Sequence, residues 1–439
     1  MRFRTGDIER AAADFEAVLD ASRHAADRAT EMEAINALGF TLLRSDLGAS
    51  AEHHRAALEI ARELGDTAAE TEALDRLSVI SSHLLQFDRA LELGERALER
   101  ARGTGDEILI GRAMDSIKLA VWQLGDLERL EELTGALARL WRERGDLWYL
   151  QFALLESAFV PIAQARWEDA AARLTDAVAI NRRIHDPGAE VLILDALCWL
   201  HRSQGSYDAS LSAGRRAVAL TGEVPWAAWA AATLGSTLLD LRQAGDAADV
   251  LESGVAWGER IGARNDLVRC VGQLSWARWL LGDQDEARAL AARGHKLLAE
   301  ATAPDGSAFL FGFAAYAAVA RVLAATGAAE QGEALLSPVL TAAERSGWRE
   351  AVATSELVLG LCLEARGEIE RASETLARAA SVADEHAIPA PAWEAHTGLA
   401  RLGVEPDGHR AAAEAIIDRM TAELNDDALR SGLRAAAEM

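Results

Sequence analysis

Gly125-Asp126-Leu127-Glu128-Arg129-Leu130, Ala165-Arg166-Trp167-Glu168-Asp169-Ala170 and Gly205-Ser206-Tyr207-Asp208-Ala209-Ser210 stand forty residues apart and share one pattern. A residue that stops a helix is followed three positions later by an acid and five positions later by a residue that is mostly small. Read outward, the pattern recurs at Gly6, Asp46, Leu85, Gly245, Gly282, Gly327 and Gly367, giving successive spacings of 40, 39, 40, 40, 40, 40, 37, 45 and 40. The acid is present in eight of ten copies, as Glu9, Asp88, Glu128, Glu168, Asp208, Asp285, Glu330 and Glu370. Ala11, Ala51, Ala90, Ala170, Ser210, Ala287 and Ala372 hold the small position, while Leu130, Val250 and Gly332 depart from it. A register kept through nine intervals identifies a repeat array, in which each unit packs on its neighbours and no single core has to grow.

One unit explains the pattern physically. Gly125-Asp126 ends a helix, and Glu128 follows near the next N-terminus, where the helix dipole favours a negative charge. The helix from Glu128 to Arg144 carries Leu130, Leu133, Leu137 and Leu140 at three- and four-residue steps, which makes one apolar face. Gly145-Asp146 stops it, as Gly65-Asp66 and Gly105-Asp106 stop earlier copies. Asp186-Pro187, Val224-Pro225, Gly347-Trp348 and Ile388-Pro389 take that place later. Each unit therefore reads as two antiparallel helices joined by tight turns. Ala303-Pro304-Asp305-Gly306-Ser307 supplies a longer loop in the 45-residue interval, and Pro161 and Pro338 are expected to kink their helices.

Acids exceed bases by 69 to 45 in the 439 residues, a net charge of −24. Such a surface repels nucleic-acid phosphates and anionic lipid, so no direct nucleic-acid or membrane partner is expected, and basic or apolar partners fit better. No apolar run approaches the roughly 20 residues that a membrane helix needs, and a cytoplasmic protein is expected. Cys198, Cys270 and Cys362 sit far apart in apolar helical stretches and read as small buried hydrophobes.

The turns quoted above, with the small position seven residues before each stop (Gly39, Ser78, Ala158, Cys198, Ser275 and Gly360), resemble the helix A to helix B junction of the tetratricopeptide repeat. Lys118 and Leu238 break that small position. The forty-residue length is similar to the C-terminal arrays of bacterial maltose-activator-like (MalT-like) and LuxR-type regulators and cyclase-linked signalling ATPases. The resemblance implies an all-α, tetratricopeptide-like solenoid, a right-handed superhelix of antiparallel helix pairs. Residues 1–403 would form the array and 404–439 capping helices. Met1 to Thr5 read as the last turn of an incomplete first helix A, which suggests either a fragment of a larger regulator or an N-terminal face covered by self-association.

In such arrays helix A lines the concave groove. That geometry places Asn36, Asp75, Asp115 and Asp195, ten residues before their stops, in the groove, with Trp122, Arg202, Arg242 and Trp279 three before theirs. These eight are the candidate partner-binding residues, although solvated helix charge would give the same variation in polarity. The row six before the stop (Phe40, Val79, Leu119, Phe159, Trp199, Leu239 and Trp276) is apolar in every copy through Trp276 and reads as core between helices. Trp226, Trp229, Phe309, Phe311, Phe313 and Tyr316 cluster at helix starts, as packing or as a small-molecule pocket.

No phosphate-binding loop, His-Glu-x-x-His or Gly-x-Ser-x-Gly motif occurs, and no metal or cofactor is expected. The reading is a non-catalytic scaffold that binds a basic and apolar protein or peptide segment in its groove. The alternative is the effector-sensing region of a multidomain signalling ATPase or transcriptional regulator, with a small molecule or a protein as effector.

Overall fold

The computed structural model describes residues 8–43, 45–221, 226–301 and 308–437. Gly6, the Met1 to Thr5 turn, Val224-Pro225 and the Ala303 to Ser307 loop lie outside them. The N-terminal helices are α1 (Ile8–Ala25), α2 (Arg28–Leu42), α3 (Leu47–Leu64), α4 (Thr67–His83), α5 (Phe87–Thr104), α6 (Glu107–Leu124) and α7 (Leu127–Arg144). Then come α8 (Leu147–Ser157), α9 (Phe159–Ala163), α10 (Trp167–Ile184), α11 (Pro187–Gln204), α12 (Tyr207–Ala219), α13 (Ala227–Asp240) and α14 (Ala244–Ile261). The last group is α15 (Arg264–Leu280), α16 (Gln284–Glu300), α17 (Phe313–Ala325), α18 (Ala329–Ser346), α19 (Arg349–Ala365), α20 (Ile369–Glu385), α21 (Pro389–Arg401), α22 (Pro406–Ala422) and α23 (Asp427–Ala437). No strand occurs among the described residues, and consecutive helices pack as pairs, so the chain is an all-α solenoid of helical repeats.

The turns work as the sequence implies. Gly125 at φ +75° lets its own N–H and that of Asp126 reach the Trp122 and Val121 carbonyls at 3.0 and 3.1 Å. The Asp126 carboxylate then accepts from the Arg129 N–H at 3.2 Å, so one turn closes α6 and caps α7. Asp186 caps α11 in the same way with Pro187 at its first position. Five residues past each turn, Ala90, Leu130, Ala170, Ser210, Ala247, Ala287 and Ala372 are fully buried between paired helices.

Two copies shift. The left-handed turn residue between α13 and α14 is Arg242, at φ +59°, and Gly245 lies inside α14. The true junction is thus 37 residues after Gly205 and 40 before Gly282. Its small position is Gly235, where a Cβ would meet Leu251 Cδ2 at 2.6 Å, so Leu238 breaks nothing. At the first junction Ser50 Oγ donates to Gly39 O eleven residues back, whereas Ser78 bonds Ala90 and Ser210 bonds Cys198 across twelve.

Pro161 acts on the carbonyl four residues earlier. Its ring excludes a helical bond to Ser157 O, α8 ends at that residue, and Arg173 Nη1 donates to the freed carbonyl at 2.7 Å. Pro338 leaves α18 continuous. At the C-terminus α22 packs on α21. The Leu429 and Leu433 side chains of α23 are buried, and Asp208 of α12 accepts from the Asn425 backbone N–H at 3.0 Å. No helix among the described residues is long and apolar enough to cross a membrane.

The array also meets itself across its axis. α4 touches α15, α9 touches α19, α11 touches α21, and α6 touches a 3-10 turn at Leu310–Gly312. Trp122 stacks on Trp348 at 5.1 Å and lies 4.7 Å from Phe311 and 4.6 Å from Phe159. Beside this aromatic plug, Glu350 accepts from Trp199 Nε1 and Ser203 Oγ, both at 3.0 Å, and pairs with the Arg202 guanidinium.

Glu350→Ala should cost about 3–5 kcal/mol, because it leaves the buried Arg202 with Asp240 alone and orphans an indole N–H. Urea unfolding beside an exposed control, Glu370→Ala, checks this; equal midpoints would mean that the closure is held elsewhere.

Candidate functional site

The first helices of the pairs face the axis with residues at three- and four-residue steps. On α4 these are Asp75, Arg76, Val79 and His83; on α6 Arg112, Asp115, Ser116 and Leu119; on α8 Tyr149, Phe152 and Glu156. Together with Phe40 of α2 they enclose a cavity of about 370 Å³. Trp226, just before α13, Ile261 at the end of α14 and Asp266 in the first turn of α15 complete the wall from the far side of the axis. The cavity therefore exists only because the array closes.

Its mouth is aromatic. Trp148 is 50% exposed, and its ring meets Tyr149 and Phe152 edge-on at 4.8 and 4.9 Å. Tyr149 is fixed in turn by stacking on the buried Trp141 at 4.5 Å. The opposite wall holds Phe40 with the Arg76 guanidinium 4.7 Å above its ring.

Charges line the interior. Lys118 Nζ donates to Asp115 Oδ1 at 2.6 Å and pairs with Glu156. Burial alone would lower this lysine's pKa, but two facing carboxylates outweigh it and hold the ammonium above the ordinary lysine range. Burial raises Glu156, and Asp115 adds to that rise by repulsion against the pull of Lys118. Asp75 is also raised by burial, against the pull of Arg76 and Arg112. Arg112 Nη2 is committed to Glu72 at 2.6 Å, and Arg76 stands 3.9 Å from Asp75. Asp115 Oδ2 is buried with no hydrogen-bond partner.

The eight sequence-predicted residues separate into three places. Asp75 and Asp115 line the cavity. Trp122, Asp195 and Arg202 are 2%, 7% and 8% exposed and belong to the closed axis, so they are not an open groove wall. The correction has a simple cause: closure buries the concave rows beyond α6 against α15, α17 and α19. Asn36 lies outside the cavity, its Oδ1 2.7 Å from Nδ1 of His54. Burial lowers the pKa of that imidazole to about 3. Arg242 is a turn residue; it pairs with Glu394 at 3.2 Å and lies 4.9 Å over Trp393. Trp279 is half-buried against the core.

The apolar row six before each stop divides, with Phe159, Trp199 and Leu239 in the buried core. Phe40, Val79 and Leu119 face the cavity rather than a helix-helix core. Of the aromatic clusters, Trp226 lines the cavity, Trp229, Phe309, Phe313 and Tyr316 are buried packing, and Phe311 is half-buried against them. Sequence reasoning missed Trp148, Tyr149, Phe152 and Lys118. The signal was available: Lys118 occupies a position that is small in most copies, and Trp148-Tyr149 follows a helix stop directly.

Little in the site is reactive. No group of three or more metal-ligating side chains is assembled among the described residues. Burial raises the thiols of Cys198 to about 11 and of Cys270 and Cys362 to about 12, so all three are poor nucleophiles.

Solved structures similar to this chain include a Rap protein complexed with Competence and Sporulation Factor, 12% identical over 78% of this chain and 99% of that one, with a TM-score of 0.45. Yeast Tom70 is 11% identical over 98% and 95% of the two chains, with a TM-score of 0.37. A tetratricopeptide repeat protein from Parabacteroides merdae is 16% identical over 65% and 98%, with a TM-score of 0.37. No protein-family model and no curated protein sequence matches the chain.

Lys118→Met removes the one cation shared by Asp115 and Glu156. A fully buried pair broken this way costs roughly 3–5 kcal/mol, and both acids are about one-fifth exposed here, so about 2 kcal/mol is expected at pH 7. Burial already raises Glu156, and without Lys118 its folded pKa stands further above the unfolded one, so the deficit should shrink as pH falls from 7 towards 4. Denaturation midpoints of wild type and variant at the two pH values measure this; a deficit independent of pH would remove the ion-pair assignment.

Proposed function

We propose that this chain is a non-catalytic recognition module that takes a short basic and apolar segment of a partner protein into the cavity between α4, α6 and α8. The cavity carries the reading: its volume is that of ligand sites, with aromatic walls and a few polar groups set among them. The aromatic plug fills the axis beyond Trp122, so a segment cannot run along several repeats, and recognition is concentrated in one place. Chemistry is a poor fit, because Lys118 is held protonated by two acids and the three cysteines are buried with raised thiols.

A second reading, a small-molecule effector sensed by an array of the maltose-activator or LuxR type, is favoured by one observation. Trp226, Ile261 and Asp266 join the wall from the other half of the array, so a compact occupant would touch both halves at once.

Leu119→Trp should fill the cavity and abolish binding while far-ultraviolet circular dichroism is unchanged. The probe is the best binder from an array of capped pentapeptides, labelled and titrated by fluorescence anisotropy. Asp75→Arg combined with Asp115→Arg should weaken the same basic probe by about tenfold or more through charge repulsion. Full affinity in Leu119→Trp would place recognition outside the cavity.

A further inference from the structure

Resting on the cavity as the binding site, we infer that its occupant carries one cationic head, the guanidinium or ammonium of an arginine or lysine side chain, delivered on an apolar stem to Asp75 and Asp115. The charge inventory leads there. Five acids (Asp75, Asp115, Glu156, Asp186 and Asp266) line the cavity against three permanent cations (Arg76, Arg112 and Lys118) and one imidazole, His83, which faces Asp266. Each permanent cation is already engaged: Lys118 with two acids, Arg112 with Glu72, and Arg76 with the Phe40 face and Asp75.

Among the acids, Asp186 is spent on the N-terminus of α11, where its Oδ1 accepts from Gly188 and Ala189. Asp75 is buried with one neutral partner, the Ser116 hydroxyl, and a cation no nearer than Arg76 at 3.9 Å, and Asp115 Oδ2 has no partner although the atom is buried. These two also repel one another, which a positive charge between them relieves.

An anionic head fits badly. It would have to displace Lys118 or Arg112 from partners at 2.6 Å and approach a chain of net charge −24. The walls select the stem. Val79 and Leu119 pack against methylenes, and the rings of Tyr149 and Phe152 offer faces that stabilise a cation in passing.

The test uses the full chain and capped pentapeptides, acetylated and amidated so that termini carry no charge. Arginine or lysine should be enriched at one position beside an apolar residue. In the best peptide, replacing that arginine by citrulline, which keeps the shape and removes the charge, should weaken binding by about tenfold or more. Asp115→Asn should weaken the arginine peptide comparably and leave the citrulline peptide within about twofold. Affinity for the arginine peptide should also fall as pH is lowered towards 4, since Asp75, whose pKa burial raises, must ionise before it binds a cation; the citrulline peptide should respond less.

Equal affinity for arginine and citrulline peptides, with Leu119→Trp still abolishing both, would overturn the cationic head and leave the cavity standing. Peptide binding indifferent to Leu119→Trp would overturn both the cavity and the head. If free 4-phenylbutylguanidine matched the best peptide, the protein-segment source would be overturned in favour of a small cation.

Discussion

Glu350 of α19 accepts from Trp199 and Ser203 and pairs with Arg202, all on α11 and 147 to 151 residues earlier in the chain. With Trp122 and Trp348 stacked beside it, this contact turns a row of helix pairs into a closed body. A buried ion pair alone is a weak source of net stability, since desolvation offsets most of the attraction. The surrounding rings supply the favourable burial, and the carboxylate, satisfied by three donors, selects the one register in which α11 and α19 meet. Aromatic packing thus holds the array closed, and Glu350 decides how it closes.

Closure has two consequences for recognition. It removes the long open groove on which a solenoid ordinarily displays its concave face, because Trp122, Asp195 and Arg202 become interior. It also creates a bounded cavity at the N-terminal end of the axis, whose far wall comes from residues 226 to 266. The charges inside are tolerable only in company. Lys118 satisfies part of the need of Asp115 and Glu156, and one oxygen of Asp115 remains without a partner.

The repeat was legible at the glycine junctions and also at Leu85 and Ala165, which hold φ +61° and +58° with a side chain in place, because the acid and the small residue that follow kept the register. At Arg242 the chain adopts φ +59° with a side chain in place, so no glycine marked the turn and Gly245, three residues on, drew the register. That slip made Arg242 a groove candidate and Leu238 an apparent exception. Half of the site was visible in the same way. Asp75 and Asp115 followed from register, while Tyr149 and Phe152 did not, since a conserved spacing says which face a residue shares and not which face remains uncovered. Lys118 was the more telling residue: it breaks the small position of the repeat, and that departure marks the cavity floor.

By itself, the sequence determined the helices, their pairing and nearly every turn, because caps, stops and apolar faces are local and act within a few residues. It also determined the charge balance that favours a cationic partner. Only the tertiary structure decided which concave residues stay open, because curvature accumulates over many repeats and brings α4 to α15 and α11 to α21. Contacts between residues some 150 positions apart depend on that summed curvature, and no forty-residue pattern encodes it.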